Sequence, residues 1–145
     1  MKRECIMKYE LLFIAGSIGT LISNLYGGWN TSLTTLLILM GADYVTGLLT
    51  AAVFKKSTKT ATGALQSNAG FIGLLKKGMI MLMVLVACRL DILLNTNIIR
   101  DGVCTAFIVN EIVSLIENAG IMGVPIPKQI TKAIDLLRDK EDNNE

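Results

Sequence analysis

Charged residues inside long apolar runs are the side chains of this chain that could do chemistry. Three apolar runs of membrane length contain ionisable groups. Residues 32–54 contain Asp43, residues 79–94 contain Arg89 and Asp91, and residues 103–119 contain Glu111 and Glu117. An ionisable group at bilayer depth is costly unless it faces protein, water or an opposite charge. These residues therefore predict helices that contact one another or line a wet path. They indicate a membrane protein whose helices assemble.

The composition excludes several other classes of protein. The chain has 145 residues, of which 52% are hydrophobic, and its mean hydropathy of +0.54 is too high for an ordinary soluble domain. It has no His, the commonest general base and metal ligand, and its three cysteines form no C-x-x-C pair. We predict no catalytic, cofactor-binding or metal-binding residues, no enzymatic activity and no nucleic-acid partner. Cys88 and Cys104 are predicted to be small packing residues.

The apolar runs predict an all-α integral membrane protein with four transmembrane helices. We place the spans at about 9–26, 32–54, 78–95 and 103–119, within a membrane domain of residues 1–127. The first span is the weakest, and three spans remain if it does not cross. Residues 57–77 are predicted to be a polar insertion with an interfacial entry to the next helix. Residues 128–145 are predicted to form a short cytoplasmic amphipathic helix and a charged tail.

Lysine and arginine positions predict the orientation. Basic residues concentrate at the N-terminus, between the second and third spans and after the fourth, whereas the two short turns hold only Arg100. Because basic loops stay in the cytoplasm, both termini are predicted to be cytoplasmic. If the first segment fails to span, the N-terminus lies outside. The membrane-surface basic residues predicted in the second loop are Lys55, Lys56, Lys59, Lys76 and Lys77.

The fourth span carries a polar stripe. At 100° per residue, its polar side chains gather within a sector of about 120°. They are Asn110, Glu111, Ser114, Glu117 and Asn118. One interpretation is that the amide and hydroxyl groups join helices while Glu117 reaches the headgroups. The other is that the stripe contacts water in a functional state.

Depth suggests partners for the remaining charges. Counted from the predicted cytoplasmic helix ends, Asp43 and Arg89 each lie about 11 or 12 residues in, or roughly 17 Å. Arg89 is therefore predicted to pair with Asp43 or Glu111, within or between subunits. Asp91 points away from Arg89 on a helix and is predicted to be solvated near the outer surface.

With these residues in place, the chain resembles the phage-lysis and clostridial toxin-secretion holin family over roughly residues 36–137. The resemblance rests on an ordered set of short motifs: Asp43 with Thr46-Gly47, Lys76-Lys77, Leu90-Asp91, the run 110–118, and the run 123–128. It implies a small, non-enzymatic homo-oligomer in the bacterial cytoplasmic membrane of the host. The partners it implies are other copies, the lipid bilayer, and a phage endolysin or a large toxin as cargo.

The same residues suggest how such a protein assembles. The candidate intramembrane assembly residues are Asp43, Arg89, Asn110, Glu111, Ser114, Glu117 and Asn118. We expect each subunit to bury its stripe against neighbours when closed and to turn it toward water when open. Two alternatives stay open. One is a small ion channel or transporter that uses these charges, and the other is a membrane anchor that recruits a partner through its C-terminal helix.

Overall fold

The computed structural model describes residues 2–54 and 67–132, and within those ranges the chain is helical, with no strand. It forms α1 (Lys2–Leu25), α2 (Thr31–Ala52), α3 (Ser67–Leu94) and α4 (Ile98–Ile121). The all-α prediction is confirmed for these residues. Three segments are long and apolar enough to cross a membrane, namely Ile6–Leu25, Thr31–Ala52 and Ser67–Leu94. The fourth span stays a prediction.

One backbone motif ends three of the helices. At the end of α1, Gly28 N–H donates to Ser23 O at 2.8 Å and Gly27 N–H donates to Asn24 O at 3.2 Å. These two bonds require a left-handed residue at the turn, and Gly27 supplies it with φ +68°. Asn95 (φ 51°) and Gly123 (φ 83°) take the same place after α3 and α4. The turns therefore form where the sequence offers glycine or asparagine.

Two predicted boundaries are wrong. Helix α3 begins at Ser67, not near residue 78, so the interfacial entry predicted there is part of one continuous helix. The glycines of this region favoured a loop over a helix, but glycine is tolerated in membrane helices. Gly70 faces Tyr44 and Leu48 of α2, where a Cβ would meet them at ordinary van der Waals distances of 3.8 and 4.0 Å. Similarly, α4 begins at Ile98, which shortens the predicted turn at 95–102 to three residues.

The packing centres on α4, which lies against both α2 and α3, while α2 and α3 touch each other little. The apolar core joins Leu33, Leu36 and Met40 of α2 to Val84 and Cys88 of α3, and Cys104 of α4 completes it. Cys88 and Cys104 are buried and unpaired, as predicted. Asn30 donates to Asp101 at one end of the bundle and Asn118 donates to Asp43 farther along, so α2 and α4 run parallel.

Helix α1 is held mainly through the turn that follows it. None of its span Ile6–Leu25 is buried. Tyr26 Oη donates to Met81 O at 3.1 Å, and Gly27 lies near Ile92. Past α4, residues 128–132 are helical, and the rest of the predicted amphipathic helix and tail lies outside the described residues. The same is true of Lys55, Lys56 and Lys59.

Candidate intramembrane polar site

A three-residue ion cluster joins α2, α3 and α4 inside the bundle. Lys77 Nζ lies 2.9 Å from Asp43 Oδ2 and 2.5 Å from Glu111 Oε2. Asp43 and Glu111 are each 4% exposed, and the Lys77 side chain is 13% exposed. Because α2 and α3 make few other contacts, this shared ammonium group is a principal link between them.

Asn118 extends the cluster along α4. Its side-chain amide donates to Asp43 Oδ1 at 3.0 Å and to Thr46 Oγ1 at 3.1 Å. Gly47 borders that amide, and a Cβ at this position would lie 3.9 Å from Asn118 Nδ2, an ordinary van der Waals distance. Among the described residues, no buried side-chain nitrogen or oxygen lacks a hydrogen-bond partner. The buried polar groups of the cluster are thus satisfied within one chain.

Lys77 lies inside the bundle, where its side chain is 13% exposed, although it was predicted among the basic residues of the membrane surface. Asp43 lies nine residues before the end of α2, Lys77 ten residues after the start of α3, and Glu111 ten residues before the end of α4. These intervals correspond to about 14–15 Å of helix, so the three side chains meet at a common level. Lys76, its neighbour, is exposed, and its place at the membrane surface stays a prediction.

Arg89 does not make the ion pair predicted within the chain. It is exposed on α3, on the side away from the bundle, and it contacts no carboxylate of residues 2–54 or 67–132. The prediction failed because it counted depth from a helix start near residue 78. With α3 starting at Ser67, Arg89 lies only five residues from the opposite end of the helix. Lys77 fills the position expected of Arg89.

Asp91 is also buried, at 4% exposure, so its predicted solvation is wrong. It accepts hydrogen bonds from Thr96 Oγ1, from Ile99 N–H at 3.2 Å and from Arg100 N–H at 2.8 Å. The last two are amide groups of the first turn of α4, which otherwise has no side-chain cap. Asp91 therefore caps α4 from the end of α3 and fixes the tight turn between them.

A cleft of about 600 Å³ opens beside the ion cluster. Its walls include Asn68, Gly73 and Lys76 of α3 and Asn110 and Ser114 of α4, together with the ion cluster itself. In the predicted stripe of α4, the structure places Glu111 and Asn118 toward the core. Asn110 and Glu117 are exposed, and Ser114 is intermediate. The stripe thus has a buried edge and an edge along the cleft.

A sequence signal for Lys77 was available in the spacing of α3. Val84 and Asp91, both buried, follow Lys77 at intervals of seven residues, which places all three on one helix face. That pattern becomes visible only when residues 67–77 are taken as part of α3. Among the described residues, no group of three or more His, Cys, Asp or Glu side chains is placed to hold a metal ion.

Comparison with known proteins identifies the family. The model of the bacteriophage holin family matches residues 20–139, which is most of the chain. The chain belongs to the bacteriophage holin family. This family is not a class of enzymes. The match begins within α1, so it covers the whole of the three-helix bundle.

Curated relatives extend the match to nearly the full length. An uncharacterized protein of Halalkalibacterium halodurans is 37% identical over 144 residues, covering 95% of this chain and 98% of its own. An uncharacterized 14.9 kDa protein of Clostridium perfringens is 37% identical over 127 residues, covering 86% and 90%. A probable holin of Bacillus phage phi105 is 29% identical over 111 residues, covering 76% of each chain. No solved structure matches the chain.

Proposed function

We propose that the chain acts as a holin, which homo-oligomerises in the bacterial cytoplasmic membrane and opens large lesions at a set time. The lesions release a phage endolysin or, in a secretion system, a large toxin. Family membership supports this proposal, and so does the similarity to a probable holin of a Bacillus phage. The observation that carries it is the buried Asp43–Lys77–Glu111 cluster, because polar groups at this depth suit a bundle that can later admit water.

The topology we propose has four spans and both termini in the cytoplasm. Helix α4 has 24 residues, about 36 Å, and returns alongside α3 after a three-residue turn. Its internal charge at Glu111 is paired, which removes the main cost of placing this helix in lipid. The basic residues of the second loop and of the C-terminal segment then share the cytoplasmic side.

The cleft indicates where water enters. In the closed state each chain satisfies Glu111 and Asn118 internally, rather than against a neighbour as the sequence suggested. The other edge of the stripe, Asn110 and Ser114, borders the cleft. We propose that this edge becomes part of the lumen wall when subunits rearrange. The polar side chains then exchange protein contacts for water without facing lipid.

Expression in a bacterium tests the function. Membrane potential and release of a cytosolic reporter enzyme are followed in the same culture. An abrupt loss of potential together with enzyme release is the expected result. Slow, ion-selective leakage without enzyme release would instead indicate a channel or transporter, and intact permeability would indicate a passive anchor.

Cysteine labelling tests the topology. In a chain whose own cysteines are replaced, Asn97→Cys should react with a membrane-impermeant maleimide added to intact cells. Lys128→Cys should react only after the cells are permeabilised. Labelling of both residues in intact cells would contradict the four-span arrangement.

A further inference from the structure

An apolar face of α3 points away from the bundle and is exposed along the length of a membrane core. Its residues follow one another in alternating steps of four and three, and each apolar member is more than half exposed. They are Leu75, Met79, Leu82, Val86, Arg89 and Leu93. We call this set the α3 seam. Steps of four and three are the spacing by which one helix packs along another.

Helix α4 has a matching face with the same alternation of steps. Its members are Ile98, Gly102, Thr105, Val109, Ile112 and Ile116, all exposed except Ile116, which is intermediate. We call this set the α4 seam. Each seam extends over 19 residues, a rise of about 27 Å, which is close to the thickness of the hydrocarbon core. Within residues 2–54 and 67–132, no member of either face is buried.

The turn between α3 and α4 sets the depth of both seams. Near the turn, positions equally far from residues 95–97 lie level with one another, as the Asp91–Arg100 contact shows. Farther away, the long Lys77 side chain contacts Glu111, which lies three residues nearer the turn than the position level with Lys77 in this register. A neighbouring copy inserted to the same depth therefore brings its α4 seam into one register with the α3 seam. In that antiparallel register Leu93 meets Ile98, Leu82 meets Val109, and Leu75 meets Ile116.

The same register also places opposite charges, Arg89 and Asp101, near each other. Arg89 interrupts the α3 seam and lies level with Gly102, the smallest member of the α4 seam, and with Asp101 beside it. The Asp101 side chain is 50% exposed, and its bonds to Asn30 and Arg100 both go to Oδ1. A guanidinium group near the lipid needs an anionic or polar partner. Asp101 of another copy offers one at the right depth, and Gly102 leaves space for the longer side chain.

We propose that the α3 seam of one copy packs antiparallel on the α4 seam of the next, with Arg89 against Asp101 and Gly102. The proposal rests on the four-span, self-associating holin proposed above. Because two different faces meet, a pair of copies keeps a free α4 seam on one copy and a free α3 seam on the other. Such a head-to-tail contact continues into a ring or an open chain rather than stopping at a dimer.

Disulfide trapping in the full-length chain tests this contact. In a chain with Cys5, Cys88 and Cys104 replaced by Ala, Leu82→Cys and Val109→Cys are introduced together. Within one chain they lie on outward faces of different helices, so a bond between them joins two copies. Mild oxidation in membranes should give a ladder of dimers, trimers and larger species. Each single-cysteine chain should show only the uncross-linked band on a denaturing, non-reducing gel.

A shifted pair controls for random collision. Leu82→Cys with Thr105→Cys moves one partner by four residues, about 6 Å, so the bond should form roughly tenfold less than with Val109→Cys. Arg89→Asp should abolish the ladder of the matched pair, and adding Asp101→Arg should restore it.

The outcomes separate the interface from the function. Dimers from Leu82→Cys alone would show that α3 seams meet each other, and an equally strong ladder from the shifted pair would refute the register. Either result overturns the proposed contact. A culture that releases the reporter enzyme without any ladder also overturns it while leaving the holin function intact. Absence of both enzyme release and ladder would overturn the function and the contact together.

Discussion

Replacing Lys77 with Met tests whether the ion cluster holds the helices of this holin together. Methionine keeps much of the length and apolar stem of lysine but removes the ammonium group. Asp43 and Glu111 then lose the cation that they share. Asp43 Oδ2 and Glu111 Oε2 both contact Lys77 Nζ, so these two oxygens are separated by no more than the sum of the two contact distances. Both residues are 4% exposed. The variant therefore leaves two carboxylates facing each other in a buried site.

The size of the effect follows from that geometry. Two carboxylates about 5 Å apart repel by roughly 3 kcal/mol at an effective dielectric constant of about 20. Breaking a buried ion pair by removing one partner typically costs about 3–5 kcal/mol. Protonation of one carboxylate relieves the repulsion but still costs free energy. We expect Lys77→Met to lower the free energy of unfolding by about 3–5 kcal/mol.

Unfolding by SDS in mixed micelles, followed by circular dichroism, measures this change. Lys76→Met is the matched control, because Lys76 is adjacent and exposed, and it should change stability by less than about 0.5 kcal/mol. The neutral triple variant Asp43→Asn, Lys77→Met, Glu111→Gln should be more stable than Lys77→Met alone, since it removes the unpaired charges. Equal stability of Lys77→Met and Lys76→Met, or a triple variant weaker than the single one, would refute the reasoning.

Three further substitutions test other contacts by the same unfolding measurement. Asp91→Ala removes the cap of α4 and should cost about 1–3 kcal/mol, with faster hydrogen exchange in the first turn of α4; unchanged exchange there would contradict the capping role. Asn118→Leu removes the amide that donates to Asp43 Oδ1 and Thr46 Oγ1 and should cost about 1–3 kcal/mol, whereas Asn110→Leu, at an exposed position, should cost far less; similar losses in both would argue against the bond to Asp43. Gly123→Ala forces an L-residue into a left-handed turn and should cost about 1 kcal/mol, while Gly16→Ala on open α1 should be neutral or stabilising.

Composition and hydropathy were sufficient to predict the helical class, because apolar runs of membrane length leave the backbone few alternatives to helix. Turn positions were also predictable. Gly27, Asn95 and Gly123 occupy the left-handed positions that glycine and asparagine favour. Asp43 and Glu111, which the sequence singled out as charged residues of apolar runs, lie in one buried cluster.

Lys77 could not be predicted as the partner of these carboxylates without knowing that α3 begins at Ser67. The sequence of the polar segment before residue 78 predicts a loop, because its glycines and polar residues have low helix propensity. Tertiary contacts override that propensity: α3 packs along α4, and Lys77 gains two carboxylates. An error of about ten residues in one boundary exchanged the roles of Lys77 and Arg89. Helix ends, rather than residue types, limited the sequence interpretation.

The two basic residues of α3 now separate two kinds of contact. Lys77 faces inward and is fully accommodated by carboxylates of its own chain, so it stabilises the monomer and gives a neighbouring copy nothing to bind. Arg89 faces outward from the same helix, where lipid is a poor environment for a guanidinium group. In an isolated chain, the charge of Lys77 is stabilised by Asp43 and Glu111, whereas the charge of Arg89 has no such carboxylate partner among the described residues. The charge of Arg89 is therefore the stronger indication of assembly, because its cost falls only when another copy or a headgroup supplies a partner.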